Sequence, residues 1–170
     1  MLDKFNKVYS KIIKEAYDGM EPFSDGIVKA LLNAGFVHYT KDFTEGPGFA
    51  FSETGKEPEM NDNFANIFRE GGPYGEITLR LNTALQIGAD YPEDMPYKPT
   101  NDFEEFLDRT LVELDKYINE QAEKDAEIVK KIVEEDPEEY EGQFKGTIDE
   151  AVQNAIVFLG KLKEALQSLK

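Results

Sequence analysis

A heptad repeat near the C-terminal end of the chain restricts the possible folds more than any other feature. Thr147 and Glu150 form a predicted capping box, and apolar residues then recur in alternating steps of four and three. Ala151, Phe158 and Ala165 widen this stripe, so the helix needs cover from a bundle or a sheet. Pairing with a second copy as a coiled coil, which would give a homo-oligomer, is the alternative. The members of the repeat are Ile148, Val152, Ala155, Leu159, Leu162, Leu166 and Leu169.

Residues 1–90 combine helical and strand-like patterns. Apolar spacing predicts an amphipathic helix over 1–16 and a short helix that Ser24 caps and that ends near Gly35. Aromatic runs over 36–40 and 49–51 predict a hairpin.

The rest of this region gives one more helix and one more strand. The stretch 63–68 is interpreted as a short helix, followed by a glycine-rich elbow over 71–75. Ile77, Leu79 and Leu81 alternate with polar residues, which is typical of a half-buried strand.

Three prolines within 91–99 exclude a helix or a central strand there, so this stretch predicts an extended linker. We therefore expect an α+β body over 1–90, a linker over 91–99 and an acidic helical region over 100–170 that packs on the body. The predicted fold class is α+β. It has a small antiparallel sheet of about three strands, N-terminal helices and a C-terminal antiparallel helical hairpin or bundle.

The segment 102–141 holds most of the chain's charge. It contains sixteen acids and five bases, a net charge of −11, whereas the whole chain carries −16. Asn101 with Glu104, or Asp102 with Glu105, is expected to cap its helix. A straight helix to residue 136 would be about 50 Å long. We therefore expect it to kink within 120–125 or to project from the body, with Pro137 ending it or starting a new turn.

Composition excludes several classes of function. With no cysteine, the chain has no disulfide, no thiolate nucleophile and no cysteine-ligated metal. Its negative charge disfavours direct binding to nucleic acid or to anionic membrane. No apolar run is long enough to span a membrane, and lysines interrupt the N-terminal helix where a signal peptide would be apolar. We expect a cytoplasmic protein.

Catalytic and metal-binding patterns are weak. His38 is the only histidine and has no triad signature around it. Carboxylates near the hairpin and the linker lack the EF-hand spacing and are interpreted as solvated loops, with Ca²⁺ or Mg²⁺ binding as the alternative. We therefore assign no catalytic residue, no metal ligand and no cofactor. These carboxylates are Glu53, Glu57, Glu59, Asp62, Asp90, Glu93 and Asp94.

One short string resembles a known processing signal. Ile13-Lys14-Glu15 before Ala16 resembles the sites cut by the prohead proteases of tailed bacteriophages, which implies a phage-encoded protein in a host-cell cytoplasm. The likeness covers four residues and identifies no family.

The leading hypothesis is a non-enzymatic acidic protein that docks on a larger protein assembly or regulates a partner with a basic surface. One alternative is a DNA mimic that inhibits a nucleic-acid-binding enzyme. The acids would fall every ~3.7 Å along a helix, close to the charge spacing of a single DNA strand. A carboxylate-dependent hydrolase, with Phe43, Phe49, Phe51 and Tyr74 lining its cleft, is the third hypothesis. The expected partner-binding acids are Glu104, Glu105, Asp108, Glu113, Asp115, Glu120, Glu123, Glu127, Glu134, Glu135, Asp136, Glu138 and Glu139.

Overall fold

The computed structural model describes residues 21–39, 41, 48–59, 62–71, 75–83, 100–140, 144 and 146–170. These residues form an α+β fold with an antiparallel sheet and several helices, as the sequence predicts. A single π-helical turn, Tyr117–Gln121, interrupts the acidic helix. The other elements are α1 (Glu21–Asn33), β1 (Val37–Tyr39), β2 (Gly48–Ser52), β3 (Phe64–Glu70), β4 (Glu76–Asn82), α2 (Phe103–Lys116), α3 (Ala122–Glu135), α4 (Pro137–Tyr140) and α5 (Ile148–Gln167).

The sheet is a meander in which each strand pairs with its neighbours in sequence. The spatial order is β1-β2-β3-β4, and every pairing is antiparallel. The predicted hairpin is confirmed, since Tyr39 of β1 lies opposite Ala50 of β2. The described sheet therefore has four strands, one more than the sequence indicates.

The additional strand is β3, and the predicted helix over 63–68 is wrong. β3 lies between β2 and β4, and Ala65, Asn66, Ile67 and Phe68 are all buried. A strand buried on both faces does not alternate between apolar and polar residues, so the periodicity that usually identifies a strand is absent.

Helix α1 covers part of the sheet, and the predicted N-cap is wrong. Ser24 lies inside the helix, which is already present at Glu21. The predicted end near Gly35 is confirmed. Gly35 has a φ of +90°, a conformation that favours glycine, and Phe36 donates a backbone hydrogen bond to the carbonyl of Leu31 at 3.1 Å.

One apolar core joins the sheet to three helices. One face of the sheet contributes fully buried aromatic and aliphatic side chains, which pack against residues of α1, α2 and α5. The Phe36 and Phe158 rings meet edge to face with centroids 5.3 Å apart. The largest fully buried members of this core are Phe49, Phe51, Phe106, Phe158, Ile27, Leu31, Ile67, Ile77 and Leu79.

The predicted helical hairpin is formed by the acidic helix and the heptad helix. Ion pairs join Asp108 to Lys170, Asp115 to Lys163 and Lys130 to Asp149. The residue numbers of the partners on the acidic helix rise from 108 to 130, while those of their partners fall from 170 to 149. α2, the π turn and α3 therefore run antiparallel to α5. The predicted capping box at Thr147 and Glu150 is present. The heptad stripe of α5 is buried within the chain itself from Val152 to Leu166.

Some predicted features lie outside the described residues. These are the helix over 1–16 with its protease-like string, the linker over 91–99 and any extension of β4 beyond Thr83. The division of the chain into a body, a linker and a helical region therefore stays a prediction. In the described part of the chain, every helix is too short or too polar to cross a membrane.

Candidate functional site

The acids predicted to bind a partner lie on α2, the π turn, α3 and α4. Twelve of the thirteen are exposed, and Glu113 is half-buried. Asp102 begins α2, because its carboxylate accepts a hydrogen bond from the backbone N–H of Glu105 at 2.8 Å. The carboxylate of Glu105 does not complete the box. It accepts from the Thr100 hydroxyl at 2.7 Å instead.

Three of the five acids on α2 are paired with bases. Glu105 pairs with Arg109 one turn along the helix, while Asp108 and Asp115 pair with Lys170 and Lys163 at the C-terminal end of the chain. The hydrogen bond from Lys163 lowers the pKa of the Asp115 carboxyl below its usual value, and the lysine's charge acts in the same direction. This half of the acidic segment is therefore partly neutralised by the fold.

The sequence of α5 explains why the neutralisation stops at α2. Its bases, Lys161 and Lys163, lie in its second half, beside α2, and 148–160 contains no lysine or arginine. Beside α3 the arrangement is the opposite of that beside α2, because the base lies on α3 and the acid lies on α5. Lys130 of α3 pairs with Asp149 of α5 at 2.7 Å, a contact that raises the pKa of the lysine, and Glu127 lies 3.8 Å from the same ammonium.

The remaining acids concentrate at the far end of α3 and on α4. Lys130 already pairs with the second residue of α5, so the last turn of α3 has almost none of α5 left to pack on. In the described part of the chain, no ion pair involves Glu134, Glu135, Asp136 or Glu138. We call this group the distal cluster; it consists of Glu134, Glu135, Asp136, Glu138 and Glu139, all of them exposed.

Three members of the distal cluster have a local structural reason to be acidic. The Asp136 carboxylate accepts from the backbone N–H of Glu139 at 3.3 Å, at the point where α4 begins after α3. Glu138 and Glu139 lie in the first turn of α4, where the helix dipole favours a negative charge. The predicted new turn at Pro137 is thereby confirmed.

Glu134 and Glu135 have no comparable hydrogen bond within the described residues, although the charge of Glu134 adds to the raised pKa of Lys130 one turn earlier. They occupy the last turn of α3, which contains no base. The carbonyl end of a helix carries a partial negative charge, so each acid there costs about 0.3–1 kcal/mol. These two glutamates oppose the stability of the helix that carries them.

A buried carboxylate holds the π turn between α2 and α3. Asp125 is 5 % exposed and accepts hydrogen bonds from the Tyr117 hydroxyl at 3.0 Å and from the Gln121 amide at 2.9 Å. The extra residue in the turn shows in the backbone, where Ala122 donates to the carbonyl of Tyr117. Gln121 and Asp125 fall at positions where the sequence predicts apolar residues, and this bonding explains both of them.

The break in the acidic helix therefore lies slightly earlier than the predicted stretch, 120–125. The π turn and the first half of α3 stay packed against α5. Ala122 and Ala126 of α3 contact Val152 and Ala155 of α5, in a small second core beside Tyr117.

A pocket of about 430 Å³ opens at the tip of the hairpin, where α3, α4 and α5 meet. Its apolar wall includes Val133, Tyr140, Phe144 and Ile148, all half-buried, and Glu138 lies at its exposed rim. Gly146 also lines it, with a φ of +86°, and a side chain added there would meet the Glu150 carboxylate, so the position favours glycine. The pocket is formed by three elements and has no local signature in the sequence.

The residues considered for catalysis have packing roles where they are described. His38 is half-buried and meets the Phe51 ring edge to face at 5.7 Å. Phe49 and Phe51 lie in the core, not along a cleft, while Phe43 and Tyr74 lie outside the described residues. The Asp62 carboxylate accepts from the backbone of Glu59 at 3.0 Å, and Glu53 accepts from Asn63 at 3.2 Å.

No three acidic or histidine side chains come close enough to hold a metal ion in the described part of the chain. The candidates Asp90, Glu93 and Asp94 lie outside it.

A polar pair on the second face of the sheet is not evident from the sequence. The buried hydroxyl of Tyr39 donates to the Asn66 carbonyl oxygen at 3.2 Å, and burial raises the pKa of the tyrosine. The Asn66 amide nitrogen is buried and makes no hydrogen bond within the described residues. Neither residue lies near the acidic helices, so this pair does not belong to the acidic surface.

Comparisons with protein-family models, with curated protein sequences and with solved structures find no match for this chain.

Proposed function

We propose that this chain is a non-enzymatic acidic interaction protein whose distal cluster binds a basic surface on a protein partner, within a larger assembly that it joins or regulates. The observation that carries the proposal is the position of Glu134 and Glu135. Within the described part of the chain neither acid forms an ion pair, and at the carbonyl end of α3 both oppose the helix dipole, as is expected where a surface serves recognition at the cost of stability.

The contrast with α2 supports the same conclusion. Along α2, Asp108 and Asp115 are paired with Lys170 and Lys163 on the opposite side of the hairpin. Beyond the start of α5, and among the residues that the structure describes, Glu134, Glu135, Asp136 and Glu138 form no ion pair, so they present an exposed negative surface. The field of such a surface steers a basic partner toward it and speeds association.

A location in the cytoplasm, of the host cell if the protein is phage-encoded, is part of this proposal. The test is affinity capture from a lysate of the source cells at about 0.1 M and about 1 M salt, between which the Debye length falls from about 10 Å to about 3 Å. We expect a protein with a basic surface to be captured at the lower salt concentration and lost at the higher one.

Two charge variants give the capture experiment its control. The distal variant carries Glu134→Gln, Glu135→Gln and Glu138→Gln. The control variant carries Glu57→Gln, Glu59→Gln and Glu164→Gln, which removes the same charge from sites elsewhere on the chain.

Loss of the partner in the distal variant alone supports the proposal. Equal capture by both variants would contradict it. If the captured protein is a nuclease or repressor and duplex DNA competes for it, the mode of binding is mimicry of DNA.

A further inference from the structure

The pocket at the hairpin tip joins two chemistries that suit one kind of side chain. Its wall is apolar, with the aliphatic Val133 and Ile148 and the aromatic rings of Tyr140 and Phe144. Its volume of about 430 Å³ is within the usual range of ligand pockets, about 300–1,000 Å³.

The rim of this pocket is negative. Glu138 lines it directly, and Glu134 and Glu135 follow Val133 on the same helical turn. A purely apolar side chain would fill the wall but leave these carboxylates without a partner. A small cation would bind the carboxylates but leave the apolar wall exposed to water.

From this complementarity we propose that the pocket binds an arginine side chain presented by a basic segment of the protein partner. The inference rests on the proposed function and names the chemistry that the distal cluster recognises. The aliphatic stem packs on Val133 and Ile148, the guanidinium stacks on Tyr140 or Phe144, and its N–H groups donate to the Glu138 carboxylate.

Arginine fits better than lysine for two physical reasons. Its guanidinium is planar and stacks on aromatic rings, and it is more weakly hydrated than an ammonium, so it enters an apolar pocket at a lower desolvation cost. Lysine would keep its compact charge in water and contact only the rim. The pocket therefore distinguishes the two basic residues.

The test uses short peptides of alternating lysine and glycine with one central residue varied among arginine, lysine, leucine and alanine. Affinities for the full chain are measured by fluorescence anisotropy at low salt. We expect the arginine peptide to bind roughly threefold to tenfold more tightly than the alanine peptide, as one stacked cation contributes. The lysine peptide should fall between them, and tightest binding by the leucine peptide would overturn the inference.

Two variants test the aromatic wall. Tyr140→Leu and Phe144→Leu keep apolar bulk and remove the rings, so they should abolish the preference for arginine while the alanine peptide binds as before. Proton spectra of the arginine peptide provide a second readout, because stacking on a ring moves its side-chain resonances upfield in the complex with the unmodified chain.

The outcomes separate this inference from the proposed function. If all four peptides bind alike and the distal variant weakens them all, the cluster is a binding surface and the pocket inference is wrong. If the distal variant binds every peptide as tightly as the unmodified chain, the proposed function fails.

Discussion

Helices α2 and α3 have similar charge in the sequence but different environments in the fold. Each carries acids along one side, and both pack against α5. α2 inserts Phe106, Leu107 and Leu114 into the main core, and two of its acids pair with bases at the C-terminal end of the chain. α3 packs through small residues, and its last two acids form no ion pair with any residue that the structure describes. Acid density alone therefore does not show where negative charge stays unneutralised; the position of the opposing bases does.

The largest expected effect concerns the different packing of the two helices. Phe106→Ala in α2 removes a fully buried ring and should lower the free energy of unfolding by about 3–5 kcal/mol. Val129→Ala in α3 should cost about 1–2 kcal/mol, since each buried methylene contributes roughly 0.8 kcal/mol. Urea unfolding measures both changes. Equal losses of the free energy of unfolding would show that α3 is packed as strongly as α2.

The second expected effect concerns the junction between the helices. Asp125→Ala leaves the Tyr117 hydroxyl and the Gln121 amide without their acceptor and should lower the free energy of unfolding by about 2 kcal/mol. Asp125→Asn keeps one oxygen acceptor and should cost less. If Asp125→Ala is neutral in urea unfolding, the buried carboxylate does not hold the π turn.

A smaller effect of opposite sign is expected at the distal end. Glu134→Gln and Glu135→Gln should each raise the free energy of unfolding by about 0.3–1 kcal/mol, because they relieve repulsion from the carbonyl end of α3. Thermal unfolding at low salt measures the gain, which salt should diminish. A loss of stability would show that these glutamates support the fold after all.

The smallest effect concerns the pairing on α2 and its dependence on pH. The pKa of Asp115 is lower in the folded chain than in the unfolded chain, where it is near 3.8. The ionised carboxylate therefore stabilises the fold fully above the unfolded pKa, and this stabilisation is lost as the pH falls through the folded pKa. Asp115→Asn should therefore be less stable than the unmodified chain at neutral pH and equal to it once the pH is below the lowered folded pKa of Asp115. The same deficit at both pH values would mean that the substitution disturbs packing and does not act through charge.

Local pattern was enough to predict some elements and not others. The heptad helix was predictable from sequence because its cap, its stripe and its spacing all lie within one segment. β3 was not, because both of its faces are buried and its residues carry no alternation. The β1–β2 hairpin was predictable from the aromatic runs on either side of its glycines.

The candidate site was less accessible to sequence reasoning. The sequence identifies the acids and marks Asp125 as out of place, but the partners of Asp125 depend on a π turn that no residue pattern announces. Which acids are neutralised depends on how α2 and α3 are aligned along α5. The pocket likewise exists only because Val133, Tyr140 and Ile148 meet from three separate elements.

The most direct test of the proposed binding surface is the salt dependence of binding by the distal variant. The probe is the lysine–glycine peptide with central alanine, and its affinity is measured across a range of salt concentrations for the unmodified chain, the distal variant and the control variant. We expect a steep loss of affinity with salt for the unmodified chain and the control variant, and a shallow one for the distal variant. Identical salt profiles for all three proteins would contradict the proposal.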